Sequence, residues 1–109
     1  MSDVVEVIVT GPPDFMPGLV ETLLDERLIA CGHLTPIEST YRWQGAIEHA
    51  SEVRAAMHTT KGRVEALRQR VRGLHTYDVP CILVLPVPRG DCDYLNWVDE
   101  ETRPAPTRP

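Results

Sequence analysis

The chain has one phenylalanine, two tryptophans, three tyrosines, three cysteines and a single lysine in 109 positions. No apolar run approaches the ~20 residues that a membrane-crossing helix needs. So few aromatics leave its strands without the base-stacking signature of an RNA-binding sheet. Cys31, Cys81 and Cys92 form an odd set with no CxxC pair, which argues against a disulfide framework and points to a reducing, cytoplasmic compartment. The first three residues lead straight into a strand-like run with no basic segment, so no secretory leader is expected. P-loop, GxGxxG, GxSxG and HExxH motifs are all missing, which leaves common nucleotide and hydrolase chemistry without support. Basic residues are in the minority, eleven against sixteen acids, for a formal net charge of -5. That balance excludes a general phosphate-backbone binder, and ten arginines beside one lysine read as genome composition. Neither nucleic acid nor a membrane is an expected partner.

What is present fits one globular domain: 42% apolar and 25% charged residues. A chain this short buries roughly two-thirds of the surface it exposes unfolded, so any stability from self-association matters. Residues 4–10 (VVEVIVT) are β-branched and read as a buried strand that stops at Gly11-Pro12-Pro13. Asp14 is a candidate cap for a helix over about 15–27, with Leu19, Val20, Leu23, Leu24 and Leu28 at helical spacing. Residues 29–60 form a long β-hairpin about a Gln44-Gly45 turn, in which Pro36 demands a bulge or an edge strand. Residues 61–73 return to a helical period, with Thr60 as N-cap and Gly73 as stop. The run 79–87 (VPCILVLPV) is the last strand. Residues 93–98 begin a short helix that docks Tyr94, Trp97 and Val98. The domain is expected to span 1–101, followed by a Pro-rich disordered tail at 102–109.

The order β-α-β-β-α-β defines an α+β, ferredoxin-like sandwich, one antiparallel sheet with two helices on one face. The strands carry apolar residues on both sides, so the second face predicts an interface and hence oligomerisation.

The residues with chemical potential are few. His75-Thr76-Tyr77-Asp78 sits in a loop between helix and strand, where sites are often built, and imidazole binds transition metals or exchanges a proton. Cys31 and His33, two apart on a strand, share a face and suit a soft-metal pair. No second pair completes that site at zinc-like spacing, so Cys31 reads as a small hydrophobe. Cys81 and Cys92 show no activating partner. Tyr41 and Trp43 make an aromatic wall for a ligand or an interface, packing being preferred. Lys61, Arg63, Arg68, Arg70 and Arg72 read as a solvated helix face.

Leu28-Ile29-Ala30-Cys31, then residues 41–48 (YRWQGAIE), Thr59-Thr60-Lys61, residues 74–80 (LHTYDVP) and residues 93–97 (DYLNW) resemble, in order and spacing, the CutA divalent-cation-tolerance family. The likeness covers nearly the whole chain to about Glu101. It implies a ferredoxin-like subunit, similar in fold to PII signalling proteins, assembled as a homotrimer with strands pairing between neighbours. It also implies a link to tolerance of copper and other divalent metals. Some positions depart from the family pattern: Thr76 stands where proline is common and Cys81 where glutamate is. A first-strand cysteine implicated in copper binding in some members has no counterpart here.

These observations lead to a non-enzymatic, trimeric protein of divalent-metal tolerance. A divalent metal is a possible ligand, copper foremost, weakly bound and with no cofactor required, and His75 is the carried-over ligand. An inter-subunit cleft is expected near Tyr41, Trp43, Lys61, Tyr77 and Trp97. The alternative is a PII-like sensor or interaction scaffold whose cleft takes an anionic small molecule through Lys61 and the aromatics. An enzyme using Cys81 or His75 is disfavoured, because no base-oriented nucleophile is visible.

Overall fold

Valine and isoleucine occupy both faces of the first strand, and the fold puts that strand inside the sheet. The computed structural model describes residues 2–105. Along them run β1 (Val4–Gly11), α1 (Met16–Asp25), β2 (Cys31–Trp43) and β3 (Ala46–Thr60). A single 3-10 turn (Lys61–Arg63) leads into α2 (Val64–Leu74), followed by β4 (Ile82–Pro86) and α3 (Cys92–Glu101). The sheet order is β2-β3-β1-β4, with every neighbouring pair antiparallel. This is the expected ferredoxin-like arrangement, with the long hairpin and the short C-terminal helix in place.

Alternation along β1 sorts its side chains by face. Val5, Val7 and Val9 join Met16, Leu19, Leu23, Met57, Leu67 and Val71 in one buried cluster beneath α1 and α2. Fully burying a side chain of this size contributes ~1.5–3 kcal/mol, so this layer supplies most of the folding drive. The opposite face is covered only in part. There α3 lays Val98 against Val4 and Ala30, while Leu83 and Leu85 of β4 stay 57% and 44% exposed. β4 pairs with β1 on one side and has an open edge on the other.

The hairpin register follows from its turn. Gln44 and Gly45 have φ of 50° and 83°, the paired left-handed conformation of a two-residue turn that matches the twist of its strands. Counting equally away from the turn pairs the two arms without interruption, from Trp43 opposite Ala46 to Cys31 opposite His58. Pro36 causes no bulge; it lies in β2, an edge strand, where a missing N–H need cost no ladder bond.

Several local expectations are revised. Asp14 does not cap α1: the N-cap is Phe15, without a side-chain bond, and a proline at the helix start supplies a preset φ instead. The helix ends at Asp25, and Arg27 then turns the chain with φ 60°. Thr60 holds the N-cap of the 3-10 turn in extended form, also without a side-chain bond. Gly73 is not the stop of α2, which runs to Leu74 and is capped by an extended His75. The apolar run 79–87 pairs only over Ile82–Pro86, as prolines at both ends dictate. Of the three residues expected to dock α3, Val98 is buried whereas Tyr94 and Trp97 remain about two-fifths exposed. Packing also passes the expected boundary at Glu101. Thr102 is buried, its hydroxyl donates to the Val98 carbonyl at 2.8 Å, and the Arg27 guanidinium donates to the Arg103 carbonyl at 2.7 Å. Of the expected disordered tail, residues 106–109 lie outside the described residues.

Candidate metal centre

One rung crosses the sheet on the face that α3 half covers. Cys31 of β2 lies opposite His58 of β3, and His58 lies opposite Glu6 of β1. Because side chains alternate, His33 shares this face two residues from Cys31. The Cys31 Sγ, a His33 ring nitrogen and a His58 ring nitrogen all lie within 4.8 Å of one another.

The hydrogen bonds assign the protons. His58 Nε2 is 2.8 Å from Glu6 Oε2, and an ionised carboxylate can only accept, so Nε2 carries hydrogen and Nδ1 is the nitrogen left to bind when the ring is neutral. In the neutral ring that nitrogen faces Cys31 Sγ at 3.5 Å and the Tyr94 hydroxyl that reaches down from α3. The Tyr94 hydroxyl is also 3.0 Å from Cys31 Sγ. Burial, with the Cys31 thiol and the Glu6 charge nearby, holds the Tyr94 phenol well above its usual range. It stays protonated at neutral pH, and its oxygen lies against both Nδ1 and Sγ, bridging the two. Cys31 and His58 are half-buried and His33 is exposed, so the cluster is open to solvent from the His33 side.

The sequence singled out Cys31 and His33 but missed His58. The signal was available: equal counting from the Gln44-Gly45 turn brings His58 onto Cys31.

His75 takes a different role from the expected metal ligand. It is 8% exposed. Its Nε2–H donates to the Thr10 carbonyl at 2.8 Å, and its Nδ1 accepts the Tyr77 backbone N–H at 3.0 Å. Both ring nitrogens are spent on backbone, leaving no lone pair for a cation. The residue locks the α2–β4 loop against the end of β1, and the absence of a side chain at Gly11 makes room for the ring. A Cβ there would come within 2.9 Å of His75 Nε2.

The expected five-residue cleft divides within one protomer. Tyr41, Trp43 and Tyr77 come together, with Arg42, Glu52 and Cys81, around an open groove of about 790 Å³. The Tyr77 hydroxyl donates to Glu52 Oε2 at 2.8 Å. Burial first, and then this bond to the Glu52 carboxylate, pushes the Tyr77 phenol up to about 12. Lys61 lies elsewhere, beside Asp3, Pro86 and Val87. Trp97 packs near Tyr94, ring centroids 5.7 Å apart. The anion-binding lysine of the sensor alternative thus does not reach the groove within one chain. On α2, Arg68 pairs with Glu65 and Arg70 with Glu26, the residue that follows α1, in keeping with a solvated face.

Known proteins match this architecture over almost its whole length. The family model described as CutA1 divalent ion tolerance protein matches residues 6–101. The divalent-cation tolerance protein CutA of Pyrococcus horikoshii is 41% identical over 99 residues, covering 89% of this chain and 97% of that protein. A solved structure described as the periplasmic divalent cation tolerance protein CutA of Archaeoglobus fulgidus superposes with TM-score 0.89 at 31% identity, covering 92% of this chain and 99% of the other. The apo structure of a PII-like protein CutA from Nostoc gives TM-score 0.89 at 28% identity, covering 94% and 99%.

Proposed function

The chain belongs to the CutA1 divalent ion tolerance family, and we propose that it acts as a non-enzymatic, cytoplasmic homotrimer that raises tolerance to divalent metal ions, copper foremost. The family match across residues 6–101 carries this reading.

Features of the chain itself support each part. An open, apolar strand edge is a template for pairing with another chain, and β4 offers one with Leu83, Val84 and Leu85 all exposed. The non-catalytic reading is supported by His75, whose two nitrogens are committed to backbone groups. Cys31, Cys81 and Cys92 are free thiols, which suits a reducing compartment. No helix among the described residues is long and apolar enough to cross a membrane. A net charge of -5 per chain attracts cations in general.

Growth in copper-supplemented medium tests the physiological part. Deleting the gene is expected to reduce growth, and a plasmid copy to restore it; equal growth with and without the gene contradicts the reading. Light scattering at micromolar concentration is expected to give three times the 12.2 kDa of one chain.

A further inference from the structure

We infer that Cys31, His33 and His58 form a thiolate–imidazole site for a soft or borderline cation of the zinc or copper(I) class, with Glu6 as the residue that positions His58. The inference deepens the tolerance reading and rests on it for physiological meaning, although the binding itself is a property of these side chains.

Distances favour this chemistry. A tetrahedral centre with metal–sulfur ~2.3 Å and metal–nitrogen ~2.0–2.1 Å separates its sulfur and nitrogen ligands by roughly 3.6 Å. The Cys31 Sγ to His58 Nδ1 distance is 3.5 Å, so those two atoms already stand at ligand spacing. His33, on the same face and within 4.8 Å of both, closes the third corner by a side-chain rotation in open solvent. One thiolate and two imidazoles are the ligand mix of zinc and copper rather than of magnesium or calcium.

The second observation is independent of ligand spacing. The Glu6 carboxylate accepts the Nε2–H of His58 at 2.8 Å. A carboxylate behind a ligating histidine fixes its tautomer and makes the other nitrogen a better donor. Here that arrangement aims Nδ1 at the thiol. The Tyr94 hydroxyl bridges Sγ and Nδ1. Tyr94 is 38% exposed, so it can swing out as the cation enters. Binding converts the Cys31 thiol to thiolate, and its proton passes to solvent. Three protein ligands leave a fourth position for water.

Cobalt(II), a spectroscopic stand-in for zinc, tests the site in the full chain under reducing conditions. One equivalent per chain should give a thiolate-to-cobalt charge-transfer band that zinc abolishes. Cys31→Ser should remove the band, His33→Ala and His58→Ala should weaken binding more than tenfold, and Glu6→Gln should weaken it about tenfold or more. His75→Ala should leave the band and its affinity unchanged. His33 is exposed, so its variant is expected to fold as the parent does, with circular dichroism as the check. A band that survives Cys31→Ser, or an affinity indifferent to His33, would overturn the site. The growth assay reads separately: a tolerance defect without a cobalt band refutes the site alone, and a band without a tolerance defect refutes the physiological reading alone.

Discussion

His75 donates from Nε2 to the carbonyl of Thr10 at 2.8 Å, tying the loop after α2 to the end of β1. The bond joins residues far apart in sequence, and with the Tyr77 N–H on the other ring nitrogen it makes the histidine a structural clasp. His75→Ala leaves a carbonyl and an N–H without these partners and opens a cavity. An unmet buried polar group costs ~1–3 kcal/mol, and a loss of that order is expected in urea denaturation at fixed protein concentration. Cation affinity measured in the same variant should not change.

The Tyr77–Glu52 contact should be visible at alkaline pH. The Tyr77 phenol is pushed up to about 12 from its ordinary 10, so the folded protein holds that proton more tightly than the unfolded chain does. Its contribution is complete below pH 10 and is lost as pH rises towards 12. Stability should therefore fall across that window, and Tyr77→Phe should flatten the fall. Because the ring is 39% exposed, solvent screening keeps the effect small. Ultraviolet titration of tyrosinate should show one late-ionising phenol removed by the substitution.

The hairpin turn holds a strained residue that can be relieved. Gln44 sits at φ 50° beside Gly45 at φ 83°, where asparagine followed by glycine is the favoured pair. A non-glycine residue pays roughly 1–2 kcal/mol for the left-handed conformation, and asparagine less. Gln44→Asn should therefore raise stability by about 0.5–1 kcal/mol, read as a higher denaturation midpoint with unchanged slope. Gly45→Ala should lower it.

The open edge of β4 predicts how assembly fails. Leu83 is 57% exposed on the part of its sheet face that α3 leaves uncovered. Leu83→Arg places a charge on that apolar surface, which is expected to shift the mass in light scattering from three chains to one. Secondary structure by circular dichroism should be retained, because the side chain lies outside the cluster under α1 and α2.

Tyr94→Phe removes the hydroxyl that bridges Cys31 and His58. A cation no longer has to displace that bond, so cobalt affinity should rise several-fold over wild type in the same spectrophotometric titration.

The fold was largely legible because its signals are local. Valine-rich alternation marks β1, leucines at helical spacing mark α1, and the Gln44-Gly45 pair marks the turn. Helix ends were less legible: Asp14 and Gly73 are residues of the right type that the chain does not use as caps, since backbone bonds and a proline at the helix start suffice. The last strand is shorter than its apolar run because prolines interrupt the ladder. The candidate site was half legible. Cys31 and His33 declare themselves by spacing, but His58 joins them only through strand register, and Glu6 only through a second ladder. His75 stood out by residue type and loop position, and its burial against Thr10 is a tertiary fact that no spacing reveals.

X-ray absorption at the zinc edge, on the reduced full chain loaded with one equivalent of zinc, tests the central claim most directly. One sulfur at about 2.3 Å together with imidazole nitrogen at about 2.0–2.1 Å is the predicted shell. A shell of oxygen and nitrogen alone, with no sulfur, would contradict a cation seated between Cys31 and His58.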